Sequence, residues 1–178
     1  MRTLIFKSFA LSNQEANKEV VAILDTKMAI TQRQADAGSY YGSIEGLIKH
    51  VAHGSAYFLS LYKTALVGNA AVQEATKNLA NLAINDKPLD VNGWEDFKKT
   101  LIELDAMWVK VVAAASEADL QTPVKVNWFG AARDSAPLGY IFAAHNAHNI
   151  HHRGQISQVL DERKIENNYS AINIAHWL

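Results

Sequence analysis

The sequence contains no cysteine among its 178 residues. Disulfide bonds, thiolate zinc sites and a cysteine nucleophile are therefore excluded, and any bound metal must be held by nitrogen or oxygen atoms. The sequence also has no phosphate-binding glycine-rich loop, nucleophile elbow, internal repeat or low-complexity tract. Any catalytic chemistry must come from side chains outside these common motifs.

An excess of positive charge is also missing. The chain has 17 basic and 18 acidic residues, and no run of Lys or Arg is interleaved with aromatic residues, so nothing predicts binding to nucleic acid or to an anionic membrane. No apolar run approaches the length of a membrane span. The apolar stretch over residues 4–11 is interrupted by Lys7 and is too short for an export signal. We therefore expect a cytoplasmic protein.

Apolar residues make up 49% of the chain, which is enough for one real core, whereas the length is too short for two ordinary domains. We predict a single domain over residues 1–178. Apolar residues spaced three and four apart predict four main amphipathic helices, over about residues 4–30, 43–66, 94–115 and 137–163. Four such helices with short connections predict an all-α bundle.

The helix ends carry their own signals. Ser43 is a suitable N-cap for the second helix, and Asn92 with Glu95 resembles a capping box for the third. Pro137 suits the first turn of the fourth helix, with Ser135 as a nearby cap. Residues 123–130 alternate between apolar and polar, which predicts a short extended segment.

Histidines cluster in the fourth predicted helix, where His145, His148, His151 and His152 fall within eight residues. His148 and His152 are four positions apart, so they lie on one face with Cβ atoms roughly 5 to 6 Å apart and can converge on one cation. His145 shares that face one turn earlier, and His151 points elsewhere.

A single histidine on a helix is most often only a packed or solvated residue. A pair on an apolar face is a stronger signal, because two buried imidazoles need partners and a metal supplies them. The zinc-protease signature requires Glu directly after the first His, where this chain has Asn149. Metalloprotease chemistry is therefore disfavoured, and a third ligand must come from elsewhere.

His50 and His53 on the second helix are the natural source of that third ligand. Our candidate metal site consists of His50, His148 and His152. Three neutral imidazoles leave one coordination position open, as in catalytic zinc sites, and such a metal lowers the pKa of a bound water or thiol. Imidazole sites accept zinc, nickel, copper and iron.

Residues 148–155, His-Asn-Ile-His-His-Arg-Gly-Gln, resemble the His-x-x-x-His-Arg-Gly-Gln signature of the DinB-like (DinB/YfiT) metal-binding four-helix bundles. Residues 41–50 resemble the family's Gly-Ser-Ile segment that leads to its helix-two histidine, and Phe58 stands at the usual aromatic position. The chain departs from the family pattern at Ser55, where an acidic residue is common, and at Ala144, where a histidine is common.

This resemblance implies a DinB/YfiT-like bundle with a three-histidine divalent metal site, zinc or nickel, often in a homodimer. Characterised relatives include transferases and isomerases that use bacillithiol or mycothiol, so the leading expectation is a metal-dependent S-transferase using a low-molecular-weight thiol. The alternatives are a metal-dependent hydrolase and a non-catalytic, metal-stabilised ligand-binding or stress-response bundle. The resemblance does not assign roles to His53 and His145.

Overall fold

The computed structural model describes residues 2–126 and 135–169. Its helices, in chain order, are α1 (Arg2–Lys27), α2 (Ile30–Gln34), α3 (Ile44–Ala65), α4 (Ala70–Ala75), α5 (Val91–Ala114) and α6 (Leu138–Glu162). The long helices α1, α3, α5 and α6 pack together, with α1 against α5 and α3 against α6 as the most extensive pairs. The all-α bundle predicted from the sequence is confirmed. No helix in the described ranges is long and apolar enough to cross a membrane.

Among the described residues, short antiparallel strand pairs precede α3 and α6. Strands β1 (Asp36–Ser39) and β2 (Gly42–Ser43) form a hairpin before α3, and Gly38 and Gly42 adopt positive φ angles of 62° and 75° at its bend. Strands β3 (Pro123–Lys125) and β4 (Ser135–Pro137) pair before α6. The predicted extended segment is confirmed over β3, and its last residues, 127–130, lie outside the described residues.

The predicted helix ends were partly right. The Ser43 hydroxyl accepts a hydrogen bond from the Gly46 amide at 3.0 Å, so Ser43 is the N-cap of α3 as predicted. The predicted cap Asn92 is wrong. Asp90 caps α5 by accepting from the Gly93 amide at 2.7 Å, because Asp and Asn serve equally well as caps and the helix begins one residue before Asn92.

The other helix boundaries also shift. Ser135 does not cap α6, because it lies in β4 opposite Lys125 and the helix starts only after Pro137. The first helix ends at Lys27 rather than near residue 30, and the short α2 follows it. Such shifts are small beside the length of the helices.

The core lies between the four long helices. The apolar stripe of α5 is buried along its whole length, as its spacing predicts: Trp94, Phe97, Leu101, Leu104, Trp108 and Val111. The matching stripe of α3 is buried as well: Ile44, Leu47, Ile48, Val51, Phe58, Leu59 and Tyr62. His50 lies at the edge of the buried face of α3 and contacts His148 of α6.

Candidate metal centre

Three histidines meet where α3 packs against α6. One ring nitrogen from each of His50, His148 and His152 lies within 4.8 Å of the others, and Nε2 of His50 lies 3.0 Å from Nε2 of His148. The structure therefore brings together all three residues of the candidate site. His148 and His152 share one face through their spacing of four, and the packing of the two long helices supplies His50.

The remaining histidines of the described chain lie outside this group. His151 is exposed, as predicted from its helical direction. His53 is also exposed, and its Nε2 lies 2.8 Å from a carboxylate oxygen of Asp86. Although His50 and His53 were both possible ligands from the sequence, only His50 reaches the pair on α6.

His145 is a packed residue of the core. Its ring is fully buried between Trp108, with ring centroids 4.0 Å apart, and Phe58, at 4.6 Å. Its Nδ1 lies 3.1 Å from the Tyr62 hydroxyl, and its Nε2 lies 3.1 Å from the Ser55 hydroxyl. Both ring nitrogens are therefore engaged within the core, and Ser55, the departure from the family pattern, is one of the partners.

Burial keeps the three clustered imidazoles neutral. It lowers the pKa of His50 to about 4, helped by the neighbouring His152 and His148. Burial also lowers the pKa of His148 and of His152. At neutral pH each ring therefore has one nitrogen with a free lone pair, which is the form that binds metal.

A buried hydrogen-bond chain determines which nitrogen of His148 carries its proton. Arg153 can only donate, and it donates to the side-chain oxygen of Asn13. Asn149 donates through Nδ2 to the same oxygen at 3.0 Å. The Asn149 oxygen is therefore turned toward Nδ1 of His148, 3.2 Å away, and accepts a hydrogen bond from it. As a result, Nε2 of His148 presents a lone pair to His50.

His152 has an equivalent support. Its Nδ1 donates to the side-chain oxygen of Gln155 at 2.7 Å, one helical turn further along α6. Nε2 of His152 is thus also left as an acceptor. Partners of this kind are typical of metal-binding histidines, whose second ring nitrogen is usually hydrogen-bonded.

The hydrogen-bond chain behind His148 continues to α1 and α5, the two long helices that supply no candidate ligand. Asn13 and Asn17 of α1 donate to the carboxylate of Asp105 on α5, at 2.8 and 3.0 Å. Burial raises the pKa of Asp105 to about 7, against the opposing effects of Asn17 and Arg153. Burial lowers the pKa of Arg153 to about 10, so it remains charged at neutral pH. Helices α1, α5 and α6 therefore all take part in orienting His148.

Two further residues shape the centre and were not assigned a role from the sequence. Tyr41, in the bend between β1 and β2, stacks on His50 with ring centroids 4.0 Å apart and places its hydroxyl 2.9 Å from Nε2 of His50. Burial raises its pKa, so the hydroxyl is protonated at neutral pH. Gly54 faces the His148 ring: a Cβ built on it would lie 2.9 Å from both ring nitrogens. Its position four residues after His50 could have signalled this contact.

The donor set fits a divalent transition-metal ion. It consists of three neutral imidazoles without a carboxylate, which suits ions of intermediate softness better than calcium or magnesium. The lone pair of His148 Nε2 also faces His50 Nε2 at only 3.0 Å, so either a proton or a cation must lie between these atoms. A bound cation satisfies both nitrogens.

Two cavities border the histidine cluster, and His50 lines both. The polar cavity, of about 370 Å³, is lined by residues of α2, the β1–β2 hairpin, α3 and the loop before α5, including Glu45, Lys49 and Asp86. The apolar groove, of about 630 Å³, runs between α3 and α6 and also contacts His148. A ligand could therefore approach the cluster from either side.

Comparison with known protein families gives a match to the DinB superfamily over residues 30–156. This range contains all three clustered histidines and more than half of the chain. Comparison with curated proteins and with solved structures gives no significant match. The matched range and the bundle agree with the resemblance seen in the sequence: the chain belongs to the DinB superfamily.

Proposed function

We propose that the protein binds one divalent metal ion, zinc or nickel, through His50, His148 and His152, and that it is an S-transferase using a low-molecular-weight thiol. The observation that carries the metal site is the approach of three neutral imidazole nitrogens within 4.8 Å of one another. The hydrogen bonds from His148 to Asn149 and from His152 to Gln155 support it, because they leave Nε2 available on both rings.

A divalent ion held by three imidazoles has an open coordination position and lowers the pKa of a thiol or water that binds there. In the transfer reaction the thiol loses its proton, its sulfur forms a bond to an electrophilic carbon, and the leaving group departs with the bonding electron pair. The proton passes to water or to the leaving group. The thiol is one substrate and the electrophile is the other.

Residues around the cluster support this chemistry. The Tyr41 hydroxyl keeps its proton at neutral pH and can donate a hydrogen bond to a ligand next to His50. The polar cavity next to His50 offers a hydrophilic path for a thiol. The packing of α3 against α6 brings the three histidines together before any ligand arrives, which favours binding.

The metal site is tested by elemental analysis of protein purified without a histidine tag. We expect one ion per chain, and strongly reduced metal content in His50→Ala, His148→Ala and His152→Ala with unchanged helix content by circular dichroism. His151→Ala and His53→Ala are matched controls that should keep a full ion. Full metal retention in His50→Ala would contradict the proposed ligand set.

The activity is tested by mixing metal-loaded protein with several low-molecular-weight thiols and monochlorobimane, and in parallel with ester and lactone substrates. We expect thioether formation that chelation abolishes. Hydrolysis without thioether formation would identify a hydrolase instead. Calorimetry measures whether thiol affinity depends on metal. If it does not, and neither assay detects a product, the protein is a binding protein and not a transferase.

A further inference from the structure

The apolar groove between α3 and α6 differs in chemistry from the rest of the centre. Its lining combines histidines at one end with aromatic and small residues along its length: His50, His53, Gly54, Tyr57, Phe58, Tyr140, Ala144, Ala147, His148 and His151. No Lys, Arg, Asp or Glu is among these residues. The described side chains that line the groove therefore carry no formal charge, and an uncharged molecule loses least on packing against them.

Aromatic rings from both helices form the walls. Tyr57 and Phe58 come from α3, and Tyr140 comes from α6. Tyr140 is 62% exposed and Tyr57 is 41% exposed, although both are large side chains. Exposed aromatic surface around a concave site is typical of ligand binding, and ring faces favour a flat aromatic partner.

The polar cavity on the other side of His50 has a different character. Lys49 donates to the carboxylate of Glu45 at 3.3 Å and to the carbonyl oxygens of Asp86 and Lys87 at 3.1 and 2.9 Å. Glu45 also accepts from the Leu89 amide at 3.0 Å. The buried charges of that cavity are thus engaged with the protein itself, and they do not attract an apolar molecule.

We propose that the apolar groove binds an uncharged aromatic substrate, with its reactive atom at the end formed by His50 and His148. This assignment rests on the proposed function, in which such a molecule is the electrophile that receives the thiol sulfur. A volume of about 630 Å³ lies in the range of about 300 to 1,000 Å³ found for small-molecule sites. The groove reaches two of the three proposed ligands, as a substrate site must.

The binding step is tested separately from catalysis with N-phenyl-1-naphthylamine, a neutral aromatic probe whose fluorescence rises in apolar surroundings. The full chain is titrated in its metal-loaded form and after treatment with a chelator. Ala147→Leu places a larger side chain in the groove, and we expect it to weaken probe binding by about tenfold. Ala143→Leu is the matched control, because Ala143 is exposed on the same helix but does not line the groove.

Tyr140→Ser provides a second variant, which removes an exposed wall of the groove without adding volume and should also weaken probe binding. Circular dichroism verifies that each variant is folded. Saturable binding by wild type with selective weakening in Ala147→Leu and Tyr140→Ser supports the groove, even if no thioether forms and the transferase proposal fails.

Two results would overturn the assignment. One is the absence of saturable probe binding in folded wild-type protein, whether metal-loaded or metal-free. The other is equal weakening in Ala143→Leu and Ala147→Leu, which would place the probe elsewhere. If the probe does not bind and Ala147→Leu changes the mass measured by light scattering, the groove is covered by a second copy of the chain instead.

Discussion

The side-chain oxygen of Asn149 lies 3.2 Å from Nδ1 of His148. This contact places the ring proton on Nδ1, so that Nε2 faces His50 with a lone pair. Asn149 is the residue that removes the chain from the zinc-protease pattern. In the fold its side-chain oxygen accepts a hydrogen bond from His148, and its amide nitrogen donates a hydrogen bond to Asn13. The same position thus disfavours metalloprotease chemistry and orients one ligand of the proposed metal site.

The amide supports should be measurable as metal affinity. Asn149→Ala and Gln155→Ala each remove an acceptor from a ligand ring, and we expect metal affinity to fall by about 10- to 100-fold. Competition with a chromophoric chelator measures the change. Gln158→Ala is the matched control, since Gln158 is exposed on the same helix and bonds to Glu162. Unchanged affinity in both Asn149→Ala and Gln155→Ala would show that the rings are held without these amides.

Gly54 should be intolerant of any side chain. A Cβ at this position would lie 2.9 Å from two atoms of the His148 ring, so Gly54→Ala must displace the ring, and we expect metal content to drop strongly. Gly154→Ala is the matched control on α6, because nothing lies within 4 Å of its added Cβ. This control should gain roughly 0.5 to 1 kcal/mol of stability from helix propensity. Equal metal content in the two variants would contradict the close contact.

Metal occupancy should depend on pH. Below about pH 6.5 ordinary histidines become protonated, but burial lowers the pKa of His50 to about 4 and also lowers those of His148 and His152. Protons therefore compete with metal only at lower pH. We expect full occupancy at pH 7 and progressive loss as pH falls from about 6 toward 4, measured by elemental analysis after equilibration. Complete loss already at pH 6.5 would contradict this expectation.

The same shifts affect the stability of the metal-free protein. Below about pH 6.5 the histidines of the unfolded chain bind protons, whereas the folded His50, with its lower pKa, stays neutral. The contribution of His50 to the free energy of unfolding is therefore complete above pH 6.5 and is lost as pH falls through about 4. Urea unfolding at several pH values, compared between wild type and His50→Ala, isolates this contribution. His53→Ala serves as the control, because His53 is exposed. A pH-independent difference between wild type and His50→Ala would refute the linkage.

We also propose that the protein is a homodimer. Apolar side chains remain exposed on the long helices, including Leu4 on α1 and Ile102 on α5, at 41% and 47%. Light scattering at dilute concentration should give twice the 19.6 kDa of one chain. The mass of a single chain would end this proposal.

The bundle was predictable because the spacing of apolar residues identifies its long helices. In the stripe from Trp94 to Val111, apolar residues recur every three or four positions, and all of them are buried. Helix ends were less predictable, since Asp90 and Asn92 are both good caps and only the path of the chain selects Asp90. The local sequence pattern thus predicts where the helices lie, whereas tertiary contacts determine the residue at which each helix begins.

The metal site was likewise only partly predictable from local sequence patterns. The spacing of His148 and His152 places them together on any helix, so the pair was predictable. The choice between His50 and His53 depends on how α3 is rotated against α6, which no local pattern in the sequence specifies. The buried polar residues Asn13, Asn17 and Asp105 sit on otherwise apolar helix faces, and their purpose becomes visible only when three helices are packed together.

His50 and His148 are separated by 98 positions in the chain, and the sequence has no cysteine with which to join them covalently. An ion bound to both would act as a removable cross-link that closes a very long loop. In the chain-entropy treatment, a permanent cross-link around a loop of about 100 residues stabilises a protein by about 4.7 kcal/mol. The midpoint of thermal unfolding would then follow the concentration of free metal, so that a chelator would loosen this bundle much as a reductant loosens a disulfide-bonded protein.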